Sequence, residues 1–372
     1  MSAGVYIHIP FCISRCSYCD FATDVYRDIE TVERYVAALV SEICQFKPVG
    51  QNIDTIYFGG GTPSLLTPPQ VERILTAVYD RFFVDRGSEV TMEMNPATVT
   101  PDSLNAYKRL GVNRASFGVQ TFNDRALRLL ARGHDANDAR QTYRMLRDAG
   151  FENVSFDLIA GLPGQRLDEW KRNLDEAIGL SPEHLSLYLL EVHEGTPLAE
   201  QVRSGRQPKP DDDLAGEMYT AMCERLTAAG FEQYEISNFA KPGFESRHNT
   251  KYWRLDPVYG FGVSAHSFDG RERYANERHT NRYLELVESA RSAEVLRQPT
   301  EEMSEFLFLG LRMNEGIDAA DFEKRFKVRF AERYCLEITE LKGLGLMSDS
   351  GGAIRLTDRG RLYSNEVFAR FI

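Results

Sequence analysis

The 372-residue chain reads as an α/β protein. It is expected to fold as a partial six-stranded (β/α)6 barrel followed by a smaller C-terminal α+β domain of winged-helix type. Three observations predict this. Short apolar runs alternate with amphipathic helical patterns six times in the first half, which implies a parallel sheet with right-handed crossovers. Polar residues follow these runs at one carboxyl end after another, where α/β proteins build their sites. Beyond residue 300 the order changes to helices followed by a small hairpin. Six units are too few to close an eight-stranded barrel, so the sheet is expected to stay open.

The strand candidates are residues 5–9, 55–58, 89–94, 114–118, 153–158 and 184–190. Between them Val32, Tyr35, Val36, Leu39, Val40 and Ile43 fall on one helical face, as do Val71, Ile74, Leu75, Val78 and Phe82. Thr67, Pro68 and Gln70 supply an N-cap, a first-turn proline and a capping-box glutamine; Thr100 and Pro101 repeat the start signal. Gly111, Gly150 and Gly230, each followed by an apolar residue, mark helix ends.

Residues 206–213 form a proline- and charge-rich connector. A helix is expected over 214–229, then an unusual polar and aromatic run at 246–253, then a glycine-rich segment at 259–267 suited to close backbone approach. The tail reads as helices at 301–312, 319–326 and 331–342, a hairpin within 346–357, and a last helix from 358. The expected divisions are 1–205, 206–299 and 300–372.

Cys12, Cys16 and Cys19 follow the first strand in the spacing C-x3-C-x2-C and are three of the six cysteines. Three thiolates on one tight loop can each ligate one iron of a [4Fe–4S] cube, leaving the fourth iron for an outside ligand. An amino acid's amino and carboxylate groups can chelate it, the arrangement seen in radical S-adenosylmethionine (SAM) proteins. Two plainer readings compete: structural zinc with His8 as a fourth ligand, and a disulfide. The disulfide is disfavoured because the N-terminus shows no signal peptide and the chain is expected to be cytoplasmic. Cys44, Cys223 and Cys335 stand alone in helical stretches and read as buried small hydrophobes.

SAM carries a sulfonium, an amino-acid end and an adenosine. Gly59, Gly60 and Gly61, followed by Thr62, lack side chains, so their backbone can meet the methionine amino group. Glu93 can accept from that ammonium, and Arg132 can grip the carboxylate through paired N–H donors. Gln120 and Asp157 suit the ribose hydroxyls. The ordinary alternatives are that the glycine run is only a turn and Arg132 a surface cation.

Tyr6 to Cys12, the run Gly59 to Pro63, Glu93, Gln120, Arg132, and Asp157 through Pro163 resemble the oxygen-independent coproporphyrinogen III oxidase (HemN-like) family of radical SAM proteins. The resemblance covers nearly the whole chain. It implies that Tyr6 and Tyr18 also border SAM, and that a radical SAM core carries a C-terminal HemN-like domain. One branch, the oxidase, decarboxylates two porphyrinogen propionates in porphyrin biosynthesis, using SAM-derived radicals. The other, the HemW-type haem chaperones, binds haem and passes it to haem proteins.

Three departures favour the chaperone branch. Phe21 stands where the oxidase carries a further cysteine. Cys12 lies almost at the start, whereas the oxidase has a long N-terminal extension. His248, Asn249, Tyr252 and Trp253 match the chaperones' H-N-x-x-Y-W haem signature. On a helix His248 and Tyr252 are i,i+4 neighbours, as are Asn249 and Trp253. The imidazole would then ligate haem iron while aromatic faces cover the macrocycle. His266 is a second candidate ligand. Outside the resemblance, the plain reading is that Tyr252 and Trp253 are core aromatics and His248 caps a turn.

The expected function is therefore haem binding and transfer to acceptor haem proteins, with a SAM-chelated [4Fe–4S] cluster. The alternative is coproporphyrinogen III oxidation, and a third reading is an interaction protein with a structural metal. Whether SAM is cleaved stays open, and no catalytic residue is assigned. A net charge of −11 argues against a nucleic-acid partner. No apolar run approaches the roughly 20 residues of a membrane span, so any membrane contact is expected to be peripheral. Monomer and homodimer are both compatible with the sequence.

Overall fold

Alternation along the parallel strands sets the architecture: apolar side chains face one way and polar or aromatic ones the other. The computed structural model describes residues 2–48, 50–350 and 352–371. Strands β1 (Ala3–Ile9), β2 (Ile53–Gly60), β3 (Val84–Met94), β4 (Arg114–Gln120), β5 (Val154–Ala160) and β6 (His184–Leu189) lie side by side in that order, all parallel. Val5, Ile7, Ile9, Phe58, Phe117 and Phe156 are buried in the main hydrophobic core. The opposite face carries Tyr6, Tyr57, Glu93, Ser116, Asp157 and Ser186 in adjoining register positions. Such a face is not filled by an apolar core: Glu93, Ser116 and Asp157 border a cavity, while Tyr6 and Tyr57 stack on His248.

Helices α1 (Ile29–Gln45), α2 (Pro68–Arg81), α3 (Pro101–Arg109), α4 (Asp124–Leu129), α5 (Ala136–Asp148) and α6 (Leu167–Leu180) connect these strands. The capping signals operate as expected: the Thr67 N–H donates to Gln70 Oε1 at 2.8 Å, and the Ser103 N–H to Thr100 Oγ1 at 3.2 Å. Gly150 takes φ 79° just beyond α5, a conformation an L side chain resists.

The sheet does not stop at six strands. After α7 (Pro197–Arg203) and α8 (Asp212–Ala228) come strands β7 (Glu232–Gln233) and β8 (Asn238–Ala240); β8 adds antiparallel to β6, and β7 pairs antiparallel with β8 at the edge. Helix α9 (Arg247–Trp253) follows, and β9 (Val258–Phe261) then runs parallel to β1 on the other edge. Strands β10 (His266–Phe268), β11 (Glu272–Asn276) and β12 (Glu294–Pro299) complete an open twelve-stranded sheet, with α10 (Thr280–Ala290) between the last two. Part of the segment read as a glycine-rich loop is thus a strand. A Cβ at Gly260 would run into the carbonyl of His266 on β10, so this glycine serves strand approach, not a ligand.

The tail holds α11 (Glu302–Arg312), α12 (Ala319–Phe326), and two helices where one was expected, α13 (Phe330–Arg333) and α14 (Cys335–Gly343). They part at Tyr334, whose ring packs on Phe330 and Phe371. Strands β13 (Ile317–Asp318), β14 (Met347–Ser350) and β15 (Ala353–Leu356) form a three-stranded antiparallel sheet, and α15 (Asp358–Leu362) and α16 (Ser364–Phe368) end the chain's described helices. The reading of the lone cysteines needs correction. Cys44 and Cys335 are exposed and Cys223 is half-buried. Cys44 follows buried Ile43 and is turned about 100° away from it on α1.

Candidate metal and cofactor site

A cavity of about 410 Å³ opens at the carboxyl ends of the parallel strands. Cys12, Cys16 and Cys19 border it, with Tyr18, Gly60 and Gly61. Glu93, Gln120, Arg132 and Asp157 form its deeper wall. Thr62 stands behind Cys12, and Tyr6 sits below the cavity on the same polar face.

The cysteine loop is held at several points. Phe11–Cys12 pairs in parallel with Asp24–Val25, closing the loop on itself. The Ser17 N–H donates to the Leu130 carbonyl at 2.9 Å, and the Leu198 N–H to the Ser17 carbonyl at 2.8 Å. Burial pushes the Cys12 thiol up to about 11 and raises Cys19 as well. Donors are nonetheless aimed at sulfur: Thr62 Oγ1 lies 3.6 Å from Cys12 Sγ and Arg132 Nη1 lies 3.4 Å from Cys16 Sγ. Asn95 ties both together, donating to Thr62 Oγ1 at 2.7 Å and accepting from Arg132 Nη2 at 2.7 Å.

His8 is not available as a fourth ligand in this arrangement. Its Nε2–H donates to the Ala22 carbonyl at 2.9 Å, which leaves Nδ1 to accept from the Tyr6 hydroxyl at 3.1 Å. Among the described residues, no three His, Cys, Asp or Glu side chains converge to clasp a single ion. A [4Fe–4S] cube makes a different demand, with each thiolate on a separate iron.

Glu93 accepts from the Tyr57 hydroxyl at 2.8 Å and from the Gly60 N–H at 3.1 Å. Burial raises its carboxyl to about 7, with neighbouring Asp157 adding to the effect. Asp157 is raised too, chiefly by burial, against the opposing pull of Arg114. Gln120 takes φ 64° at a register shift between β4 and β5, which folds its amide back over Gly118. A Cβ at Gly118 would lie 2.5 Å from Gln120 Nε2 and 3.1 Å from Arg132 Nη2, so only glycine fits beneath them. Arg132 Nη2 is committed to Asn95 and to the Gly118 carbonyl; its buried Nε has no partner. The Arg114 guanidinium is buried inside the barrel with Nε and Nη1 unpartnered.

The H-N-x-x-Y-W residues lie elsewhere. Helix α9 forms the floor of the half-barrel, at the amino ends of β1 to β3. Its first N–H groups, on Arg247 and His248, donate to Glu89 at 3.1 Å each. Lys251 pairs with Asp54 at 2.7 Å. His248 is 1% exposed, with Nδ1 bonded to Thr55 Oγ1 at 2.9 Å and Nε2 to the Tyr252 hydroxyl at 3.1 Å. Its ring stacks on Tyr57 at 5.0 Å. Trp253 lies under the Arg312 guanidinium at 4.4 Å, and Asn249 is half-buried on the same helix. None of the four borders the cavity. The expected i,i+4 contact between His248 and Tyr252 is present, but it is directed inward.

Residues 6–177 match the radical SAM superfamily, and residues 298–363 match the HemN C-terminal domain. The haem chaperone HemW of Lactococcus lactis subsp. lactis is 36% identical over 371 residues, covering 99% of this chain and 97% of that protein. The haem chaperone HemW of Bacillus subtilis is 36% identical over 378 residues, covering 99% of each. The chain belongs to the HemW haem-chaperone family of radical SAM proteins. The solved structure of Escherichia coli coproporphyrinogen III oxidase (HemN), a radical SAM enzyme, matches with a TM-score of 0.87 at 25% identity, covering 100% of this chain and 90% of that one.

For a HemW-family chain the donor set fits an iron–sulfur cluster. Metal binding strips the thiol protons that burial otherwise retains, and hydrogen bonds to sulfur tune such clusters. Among the cavity residues that escaped the sequence reading are Asn95, Ser116, Tyr188 and His193. Ser116 and Tyr188 were within reach, since both share the period-2 face of residues already singled out. Asn95 and His193 follow strand ends, and nothing in their spacing marks them. No helix among the described residues is long and apolar enough to cross a membrane.

Proposed function

We propose that this chain is a haem chaperone that binds haem and hands it to acceptor haem proteins, with Cys12, Cys16 and Cys19 holding a [4Fe–4S] cluster whose open iron is chelated by SAM. The observation that carries this reading is the convergence of the three cysteines with Glu93, Gln120, Arg132 and Asp157 on one cavity, in a chain of this family. The cluster would supply one-electron reducing chemistry beside the SAM sulfonium.

The chain's own residues divide the remaining work. Thr62 and Arg132 stabilise thiolates by donating to sulfur. Glu93 offers its carboxylate to the methionine ammonium. Arg132, whose Nη groups already serve Cys16, Asn95 and the Gly118 carbonyl, offers the carboxylate end its positive charge rather than the paired donors expected of it. Asp157 and Gln120 hold the ribose hydroxyls. Ile159 and Leu190 line the cavity and limit water there.

The test is anaerobic reconstitution with iron and sulfide, then haem titration by absorbance, then transfer to an apo haem protein. One haem per chain, followed by recovery of the acceptor's spectrum, is the expected result. Absence of both binding and transfer would remove the chaperone reading. The likeness to HemN favours one rival, tested by incubating the same protein with coproporphyrinogen III, SAM and a reductant. Propionate decarboxylation would establish it.

A further inference from the structure

Haem iron is held most often by an imidazole that can offer a ring nitrogen, and hydrogen bonding, burial and position relative to the cavity together sort the seven histidines. His8, His184 and His248 are buried with both ring nitrogens bonded. His134 is buried against the Val119 carbonyl. His266 and His279 are exposed but lie away from the cluster cavity. His193 alone borders that cavity, with its side chain 42% exposed.

The surroundings of His193 suit a haem. Phe21 and Tyr188 border the same cavity and expose 63% and 41% of their surface. Large apolar side chains scattered singly on a surface are unremarked, but two bordering one cavity offer a ligand apolar surface there. Arg15 borders the mouth, and Arg278 donates to the Asp20 carbonyl at 3.1 Å, so two cations lie close to the cysteine loop and could meet propionates there. Carboxylates flank the imidazole: Asp20 lies 3.9 Å from Nδ1 and Glu191 lies 3.5 Å from Nε2. A carboxylate that closes to hydrogen-bond distance of one nitrogen orients a ligating imidazole and raises its basicity, and Asp20 is placed about one ångström short of that contact. Glu191, the more exposed of the two, is free to swing aside and release Nε2.

We propose that His193 is the axial ligand through which this chain holds haem iron at the mouth of the cluster cavity, with Asp20 behind its Nδ1 and the rings of Phe21 and Tyr188 against the macrocycle. This rests on the haem-chaperone reading above and moves the ligand away from the H-N-x-x-Y-W helix.

The experiment is an anaerobic haem titration of cluster-loaded protein, comparing wild type with His193→Ala, His193→Met and His266→Ala by absorbance and electron paramagnetic resonance. His193→Ala is expected to weaken binding at least tenfold, and added imidazole to restore the wild-type Soret band. His193→Met is expected to shift that band, and His266→Ala to leave it in place. A His193→Ala protein with wild-type affinity and spectrum overturns the assignment, as does loss of the spectrum in His266→Ala alone. If wild type itself takes up no haem, the chaperone reading falls and this inference with it. If wild type binds and His193→Ala is indistinguishable from it, only the inference falls.

Discussion

Glu93 shows how much chemistry one buried carboxyl can hold in reserve. Its value of about 7 arises from burial, with Asp157 raising it and the Tyr57 hydroxyl, the Gly60 N–H and the Arg114 guanidinium lowering it. An arriving ammonium favours the ionised form, so SAM binding should expel the proton that Glu93 carries below pH 7. Affinity is therefore expected to rise between pH 6 and 8 and to fall by up to about tenfold per unit well below pH 7. Calorimetry of cluster-loaded protein in two buffers of different ionisation enthalpy measures both the affinity and the proton released. Glu93→Gln should flatten the profile and cost about 1.5–3 kcal/mol of binding at pH 8. Arg114→Met should move the midpoint upward. An unchanged slope in Glu93→Gln would assign the proton to another group. The sequence placed Glu93 at a strand end; it carried no sign of Arg114's role, because an arginine opening a strand reads as a surface cation.

At the scale of elements, α9 is the surprise. Its spacing announced a helix with His248 and Tyr252 on one face, and that helix is present. Spacing does not say what a face looks at. The Glu89 carboxylate at its N-terminus and the Lys251–Asp54 pair fix α9 inside the half-barrel, where it props Tyr57 and, through it, Glu93. Its seat depends on Gly4: a Cβ there would lie 2.8 Å from Thr55 Oγ1 and 3.2 Å from His248 Cε1. Gly4→Ala is expected to destabilise by about 1–3 kcal/mol through overpacking, and to weaken SAM binding by disturbing the Tyr57–Glu93 contact. Gly87→Ala, where a Cβ meets nothing within 4 Å, serves as control and should be close to neutral. Denaturant midpoints decide the first part; equal midpoints for Gly4→Ala and wild type would mean that α9 yields easily.

For the whole molecule, the decisive feature is that β1 is an interior strand. It pairs with β2 on one side and with β9, more than 250 residues later, on the other, through Gly4 with Val258 to Ile7 with Phe261. A fragment ending at residue 205 would bare this edge of β1 and lose α9 from the floor. Unpaired apolar edges invite aggregation. The 1–205 fragment is accordingly expected to be poorly soluble, to bind hydrophobic dyes and to lack a cooperative thermal transition, whereas the full chain melts cooperatively. A monomeric, cooperatively folding fragment would show that the first six strands stand alone.

Residue order by itself determined what depends on local period and spacing. The three cysteines share a loop because only a few residues separate them. The strands alternate because side chains on a pleated strand do, and Glu93, Gln120 and Asp157 converge because parallel strands bring their carboxyl ends to one edge. Tertiary structure alone decided which segment covers β1, whether the H-N-x-x-Y-W face meets a ligand or the protein interior, and which histidine stands at the cavity. Those outcomes are set by pairing between distant segments and by which hydrogen bonds burial obliges each polar group to make.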